Sequence, residues 1–234
     1  FQAGLSTLAK IAPVRLGVSS KQTSKALLEA KDCDVYVFDG PAPAGNVGVQ
    51  INHIDPINKG EVVWTLGAEE VIMLGRLVKT GKVDYTRTIA LAGSEVKAPK
   101  YYKMKVGQKL STLLAGQVSG SDVRIINGNP MTGIKTCADG FLAAHATEVT
   151  AIPEGANADE MLGWIMPRFS QFSTHRSYFS WLFGSKKEYV LDSRIKGGER
   201  HMIMSGEYDK VFPMDIYAGY LIKAIITGDI DRQE

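Results

Sequence analysis

A strand, a helix and a second strand follow one another closely near the start of the sequence, and this order most restricts the fold. The segments "VRLGV" (14–18) and "DVYVF" (34–38) are rich in β-branched residues and predict strands. Ser19 or Ser20 can cap a helix over 21–31 between them. Two strands joined through a helix by short links lie parallel, with a right-handed crossover. The sequence therefore predicts an α/β layer in its first third.

Three neighbouring segments extend this predicted layer. Residues 1–11 predict a helix with apolar side chains on one face, and "EVVWTL" (61–66) predicts a third strand. Residues 68–81 predict a further helix, because acidic residues lie in its first turn and Gly81 can end it. The first third is therefore expected to alternate strands with helices throughout.

The pattern changes near Val83. Strands are predicted over 85–93, 123–127 and 141–152, and a short helix is predicted over 106–116. Several strands around one short helix within about 70 residues indicate a compact α+β module.

The last third of the chain has the least regular pattern. It contains aromatic-rich stretches, predicted strands at 188–192 and 200–204 and a predicted helix near 215–227. No stretch approaches the ~20 apolar residues that a membrane-spanning helix needs. The chain begins inside a predicted helix at Phe1 and ends just after another, so we expect both ends to be cut from a longer protein. The expected domains are residues 1–82, 83–152 and 153–234.

Composition excludes several classes of function. Lys and Arg number 27 against 25 Asp and Glu, and this near-balance gives no global reason to expect nucleic-acid binding. Two cysteines, Cys33 and Cys137, are too few for a four-thiolate metal or iron–sulfur site and favour a reducing, intracellular setting. The histidines show no metal-ligand spacing. They are His53, His145, His175 and His201.

The glycine-rich loop that follows "DVYVF" looks at first like a phosphate cradle. Pro41 and Pro43 have no N–H group to offer an anion, and Asp39 would repel one. Apolar residues alternate with others over 47–52, which predicts extended chain rather than the start of a helix. We therefore interpret the loop as a rigid connection that can still serve as a contact surface.

A basic stretch from Lys97 to Lys109 interleaves five lysines with Tyr101 and Tyr102. Such a pattern can bind single-stranded nucleic acid. We favour an edge strand whose lysines keep it solvated and prevent strand addition. Contact with an acidic partner surface is the next alternative, and no nucleic-acid partner is expected.

The most suggestive stretch is "RSYFSWLFGSKK" (176–187), in which aromatic residues are bracketed by basic ones. This pattern suits an interfacial anchor or a groove on a partner protein. Packing of the same aromatic residues in a core is the interpretation that we favour, and the interfacial anchor is the alternative. Because quinone sites are apolar clefts with few polar groups, the aromatic residues in and before this stretch are our candidates for quinone or partner contact. They are Phe169, Phe172, Tyr178 and Trp181.

Stretches spread over nearly the whole chain resemble, in the same order, the family of NqrA proteins of the bacterial sodium-translocating NADH:quinone reductases. One of them also resembles a glycine-rich turn shared with the RnfC protein of the Rnf electron-transport complex and the flavin-binding subunit of respiratory complex I. The stretches are "VFDGPAPAG" (37–45), "LAG" (91–93) with "VGQKLSTLL" (106–114), "IINGNPMTG" (125–133), "LGWIMP" (162–167), "FSTHRSYFSWLF" (172–183) and "YDKVFPMD" (208–215).

The resemblance implies a partial Rossmann-like layer over 1–82, a β-grasp module of the soluble-ligand-binding type over 83–152 and a mixed α/β part over 153–234. It also implies a peripheral position on the cytoplasmic side of the bacterial inner membrane, with the other subunits of the complex and quinone as partners.

The related subunits hold flavin on a phosphate loop or clusters on cysteine-rich motifs, and this sequence shows neither. The resemblance therefore implies a subunit without a cofactor or catalytic residues of its own, whose flavins and iron–sulfur centre lie in partner subunits. A free-standing β-grasp module that binds a small ligand, without an enzyme partner, is the alternative function.

Overall fold

The computed structural model of the chain describes residues 1–156, 165–173, 176, 178–184, 186–194, 206 and 208–233. The chain divides into two compact units, one formed by residues 1–84 and 200–234 and the other by residues 85–199. The predicted division after residue 82 lies close to the first of these limits. The predicted third domain, in contrast, is divided between the two units.

The structure is a mixture of helices and strands. Its elements are α1 (Gln2–Leu8), β1 (Arg15–Ser19), α2 (Lys25–Leu28), β2 (Asp34–Phe38), α3 (Val47–Ile54), α4 (Ala68–Thr80), β3 (Thr86–Ala92), β4 (Lys100–Lys105), α5 (Ser111–Leu114), β5 (Val123–Asn127), β6 (Ile134–Thr136), β7 (Glu148–Pro153) and α6 (Ala218–Thr227).

The first unit contains the predicted parallel strand pair. β1 and β2 pair in parallel from Arg15 opposite Asp34 to Ser19 opposite Phe38. The connecting helix α2 is shorter than predicted, as is α1. The predicted helix α4 is confirmed, and Gly81 ends it in the left-handed conformation, with φ of 67°.

Two predictions for the first unit are wrong. Residues 61–66 form no strand, and Val62 and Trp64 are 77% and 89% exposed. Strand propensity takes effect only where a neighbouring strand supplies hydrogen bonds, and the sheet of this unit has two strands among the described residues. Residues 47–54 form helix α3 rather than extended chain. Val47, Ile51 and Ile54 fit the helical period, whereas Val47, Val49 and Ile51 fit the strand period, so the pattern over this short run was ambiguous.

Helices α1 and α4 approach each other at two glycines. A β-carbon at Gly4 would lie 2.2 Å from the carbonyl oxygen of Val71, and one at Gly75 would lie 2.9 Å from the backbone nitrogen of Gly4. Leu5 and Val71 are buried beside this crossing. The absence of side chains at the two glycines therefore lets the helix backbones touch.

In the part of the second unit that the structure describes, five strands form one sheet with the order β4-β3-β7-β5-β6. β3 and β7 are parallel, and the other neighbouring pairs are antiparallel. Strands β3 and β5 confirm their predictions, and the lysine-rich β4 is an edge strand, as expected. The strand predicted over 141–152 begins only at Glu148, so exposed His145 lies in a turn and not in a strand.

One face of this sheet carries the core of the second unit. The short helix α5 and the loop that precedes β7 cover it, and the deepest side chains come from β3, β7 and the residues around α5. The buried cluster comprises Ile89, Leu91, Val96, Met104, Leu110, Leu113, Leu114, Leu142, Ala146, Val149 and Ala151.

The described residues after β7 are mostly irregular. A 3-10 helix spans Phe179–Phe183, and the predicted strand at 188–192 is not formed, because no neighbouring strand pairs with it in the described part of the chain. The predicted strand at 200–204 lies outside the described residues. The predicted final helix is confirmed as α6. None of the described helices is long and apolar enough to cross a membrane.

Candidate functional site: an exposed patch of aromatic rings and cations

Aromatic side chains of the second unit cluster in the segment that follows β7. We call this cluster the aromatic patch. Its members are Phe169, Phe172, Tyr178, Phe179, Trp181, Phe183 and Tyr189.

Phe169 lies at the centre of the ring contacts. Its ring centroid is 5.9 Å from that of Phe179 and 6.2 Å from that of Phe183, the second pair edge-to-face. Phe172 makes a separate edge-to-face contact with Tyr189, at 5.7 Å. Such separations are those of favourable aromatic pairs, each of which contributes about 1 kcal/mol beyond the burial of area.

Local backbone contacts hold these rings in place. The N–H of Phe179 donates to the carbonyl oxygen of Pro167 at 3.1 Å, which fixes the start of the 3-10 helix beside Phe169. Gly184 ends that helix with φ of 79°. The hydroxyl of Tyr189 donates to the carbonyl oxygen of Ser180 at 3.4 Å, and Ser180 itself is buried.

Three cations lie over rings of the patch. The guanidinium carbon of Arg168 is 5.6 Å from the ring centroid of Tyr178, and that of Arg176 is 5.8 Å from the ring centroid of Trp181. The Nζ atom of Lys187 is 4.4 Å from the ring centroid of Phe183 and also donates a hydrogen bond to the carbonyl oxygen of Phe169. Distances below about 6 Å allow cation–π attraction.

The rings of the patch are partly exposed, so the core packing that the sequence favoured is not observed in the described residues. Trp181 is 47% exposed and Phe183 is 58% exposed. Phe169 and Phe172 are about equally exposed, and Tyr178 is half-buried. Exposed apolar side chains that lie together mark contact surfaces more often than scattered ones do.

The four residues selected from the sequence all lie in the patch, but their neighbours are only partly those expected. Phe169 and Phe172 each contact a ring that the sequence did not single out, and Trp181 is paired with Arg176. No spacing rule predicts that Phe179 and Phe183 both contact Phe169, because residues four apart share a face of an α-helix and not of the 3-10 helix that forms here. Tyr189 carried no signal either, since two lysines and Glu188 separate it from the run of rings.

The loop after β2 differs from its prediction in one respect. Residues Ala42–Gly45 form a 3-10 helix and α3 follows directly, so the absence of a following helix no longer counts against a phosphate. The other arguments against phosphate binding by this loop hold. Pro41 and Pro43 lack N–H groups, and the carboxylate of Asp39 accepts a hydrogen bond of 2.9 Å from the hydroxyl of Ser20. A carboxylate at this position disfavours an anion.

Other chemistries find little support among the described residues. No group of three or more His, Cys, Asp or Glu side chains there could hold a metal ion. Nε2 of His53 lies 3.1 Å from the carbonyl oxygen of Pro213, a structural contact. His175 and His201 lie outside the described residues. Burial, with the charges of Asp34 and Asp32, raises the pKa of the Cys33 thiol, which keeps it protonated and unreactive at neutral pH.

Comparisons with known proteins match two family models to this chain. The model described as the NqrA second alpha/beta domain matches residues 1–83, and the model described as the NQRA C-terminal domain matches residues 88–138. The second model is of the soluble-ligand-binding type.

Curated relatives match over most or all of the chain, and each is named as the A subunit of a Na(+)-translocating NADH-quinone reductase. The relative from Pasteurella multocida is 34% identical over 100% of this chain and 52% of its own length. That of Neisseria meningitidis, serogroup C, is 32% identical with the same coverage. That of Yersinia pestis is 35% identical over 84% of this chain and 44% of its own length. The chain thus spans about half the length of the curated relatives it matches.

Proposed function

Because the chain belongs to the NqrA family of the Na(+)-translocating NADH-quinone reductases, we propose that it works as a peripheral subunit of such an enzyme. The complex would oxidise NADH, reduce quinone and transport sodium ions. The observation that carries the proposal is the similarity to named subunits over the whole chain, at 32% to 34% identity. A place on the cytoplasmic side of the bacterial inner membrane belongs to the same proposal.

We assign no redox cofactor to this chain and place the flavins and the iron–sulfur centre of the complex in partner subunits. Two observations support the absence of a redox cofactor from this chain. The loop after β2 presents prolines and the carboxylate of Asp39 where a phosphate would need N–H donors. The pKa of the Cys33 thiol is raised, which disfavours a thiolate ligand.

We propose a Rossmann-like α/β domain over 1–82 and a β-grasp domain over 83–152. The parallel pair of β1 and β2, joined through α2, supports the first. The mixed sheet with α5 against its core face supports the second. The remaining residues, 153–234, would form a mixed α/β part of the chain.

The aromatic patch supplies the contact surface of the proposed subunit. Its exposed rings offer an apolar surface, and the cations over them offer polar contacts at its margin. We assign docking within the complex, and contact with the quinone, to Phe169, Phe172, Tyr178 and Trp181.

Co-purification tests the proposed function. A tagged copy of the gene that encodes this chain, expressed in its own host, should bring down integral-membrane flavoproteins and NADH:quinone reductase activity that depends on sodium. Isolation as a monodisperse protein without membrane partners would contradict the proposal and favour the free-standing module. The similarity to reductase subunits over the whole chain does not favour that alternative.

Photo-crosslinking tests the assignment of the patch within the complex. A quinone that carries a photoreactive group, irradiated in the assembled enzyme, should give adducts on peptides that contain residues of the patch. Adducts confined to other subunits would show that the patch does not contact the quinone. Docking within the complex would then be its only proposed role.

A further inference from the structure

We propose that the aromatic patch rests on the headgroup layer of the membrane and binds anionic phospholipid there. This inference rests on the proposed function, since a peripheral subunit of a membrane complex needs a surface that faces the bilayer. It goes further, because it names lipid as the partner of the patch.

The charge of the patch segment favours an anionic partner. Residues 165–189, which hold every member of the patch, contain four basic residues and one acidic residue, Glu188, although the whole chain has 25 acidic against 27 basic side chains. The basic residues of this segment are Arg168, Arg176, Lys186 and Lys187. Clusters of basic residues beside a bilayer bind anionic headgroups, each adding about 1 kcal/mol near the surface.

The arrangement of rings and cations favours lipid over an acidic protein. A bilayer presents phosphate groups and, about 5–10 Å deeper, the boundary of the acyl chains. Arg176 over Trp181 and Lys187 over Phe183 place a cation and an apolar ring side by side, so that each pair can meet both layers at once. Trp and Tyr are enriched at this level of the membrane, because their rings are apolar at one end and polar at the other.

Attachment through the patch would be superficial. None of the described helices could cross a bilayer, so insertion of rings at the surface is the mode of contact that these residues permit. Binding of this kind depends strongly on salt, since exposed charges are screened over about 8 Å at physiological ionic strength.

Vesicle flotation tests the proposal. The purified chain should float with vesicles of phosphatidylglycerol and phosphatidylcholine, remain unbound with phosphatidylcholine alone, and dissociate as salt is raised. The double substitution Arg176→Gln and Lys186→Gln should weaken binding about 25-fold, because each exposed cation contributes about fivefold. Lys103→Gln with Lys105→Gln removes the same charge from the exposed edge strand β4 and should leave most of the affinity.

Tryptophan emission provides a second readout. Trp181→Phe should remove the blue shift that vesicles induce, whereas Trp64→Phe, at an exposed tryptophan of the other unit, should retain it. Thermal melts of both variants check that they are folded.

The outcomes separate this inference from the proposed function. Equal loss of binding in the Arg176 and Lys103 variants, or no binding to phosphatidylglycerol vesicles, overturns the lipid contact even if the chain still co-purifies with its membrane partners. In that case the patch contacts protein. Specific vesicle binding without co-purification would uphold the lipid contact and reject membership of the complex.

Discussion

Arg124 donates two hydrogen bonds to the carboxylate of Glu154, from Nε at 3.1 Å and from Nη2 at 2.7 Å. The Nζ of Lys135 donates a third, at 2.6 Å. These contacts join β5, β6 and the residue after β7 on one side of the sheet. The hydrogen bond from Arg124, and then that from Lys135, lowers the pKa of Glu154 to about 2.

This carboxylate should make the second unit sensitive to acid. Its pKa is about 2 in the folded chain and about 4.3 in an unfolded one, so its stabilising effect is complete above about pH 5 and is lost as the pH falls to 2. We expect a loss of about 1 kcal/mol after allowance for solvent screening. Urea unfolding of the wild type and of Glu154→Gln, measured from pH 7 to pH 3, checks this.

The difference in free energy of unfolding between wild type and Glu154→Gln isolates this carboxylate from the other acids. It should be largest at pH 7 and shrink towards pH 3. A difference that stays constant over this range would show that the ion pairs contribute nothing to stability.

The crossing of α1 and α4 predicts that Gly75→Ala destabilises the first unit. The added methyl group would lie 2.9 Å from the backbone nitrogen of Gly4, so the helices must separate. Overpacking of this kind costs about 1–3 kcal/mol. Thermal or urea unfolding of the variant measures the loss.

Gly48→Ala is the matched control. Gly48 lies in helix α3, and a β-carbon there would meet nothing within 4 Å. This change should be neutral or stabilise the protein by a few tenths of a kcal/mol, up to about 1 kcal/mol. Equal effects of the two substitutions would rule out close approach as the reason for Gly75.

Trp181→Ala should change assembly more than folding. Because Trp181 is about half exposed, we expect its removal to lower the melting temperature by only a few degrees. Loss of an anchor residue at an interface typically costs ~2 kcal/mol or more, which weakens assembly about thirtyfold. Calorimetry of the chain and pull-down of the complex test the two effects separately.

Leu110→Ala supplies the comparison for folding. Leu110 is fully buried in the core of the second unit, so its truncation should cost about 2–5 kcal/mol. If Trp181→Ala lowers the melting temperature as much as Leu110→Ala does, Trp181 stabilises the fold and the docking hypothesis is rejected.

The purified chain should carry no flavin and no iron–sulfur centre. The expected spectrum has no absorbance near 450 nm, and metal analysis should find less than stoichiometric iron or zinc. A yellow preparation with one flavin per chain would show that the loop after β2 binds a phosphate despite its prolines and Asp39.

Sequence patterns predicted those elements whose partners are close in the chain. The parallel pair of β1 and β2 and the helix α4 with its stop at Gly81 were predictable, because period and capping act over a few residues. The strand predicted over residues 61–66 is wrong for the opposite reason. Their β-branched side chains favour a strand, but a strand forms only where another lies beside it.

The composition of residues 176–187 predicted a group of aromatic and basic residues, but it did not predict their exposure or their contacts. A run of rings between basic residues was visible at 176–187, but core packing was the favoured interpretation of it. Only the folded chain decides between core packing and exposure, because the position of Trp181 depends on where the backbone after β7 runs. The pairing of Phe172 with Tyr189 likewise depends on a turn that no local pattern specifies.

Among the described residues, the central strand of the five-stranded sheet, β7, is the last of its strands in sequence. During synthesis on the ribosome, β3 with β4 and β5 with β6 emerge as two separate hairpins that share no partner. An isolated hairpin is marginally stable at best. The sheet therefore closes in one late step, when Glu148–Pro153 inserts between β3 and β5. A nascent chain arrested before this segment leaves the exit tunnel should remain open to protease and to chaperones, and one arrested well after it should be protected.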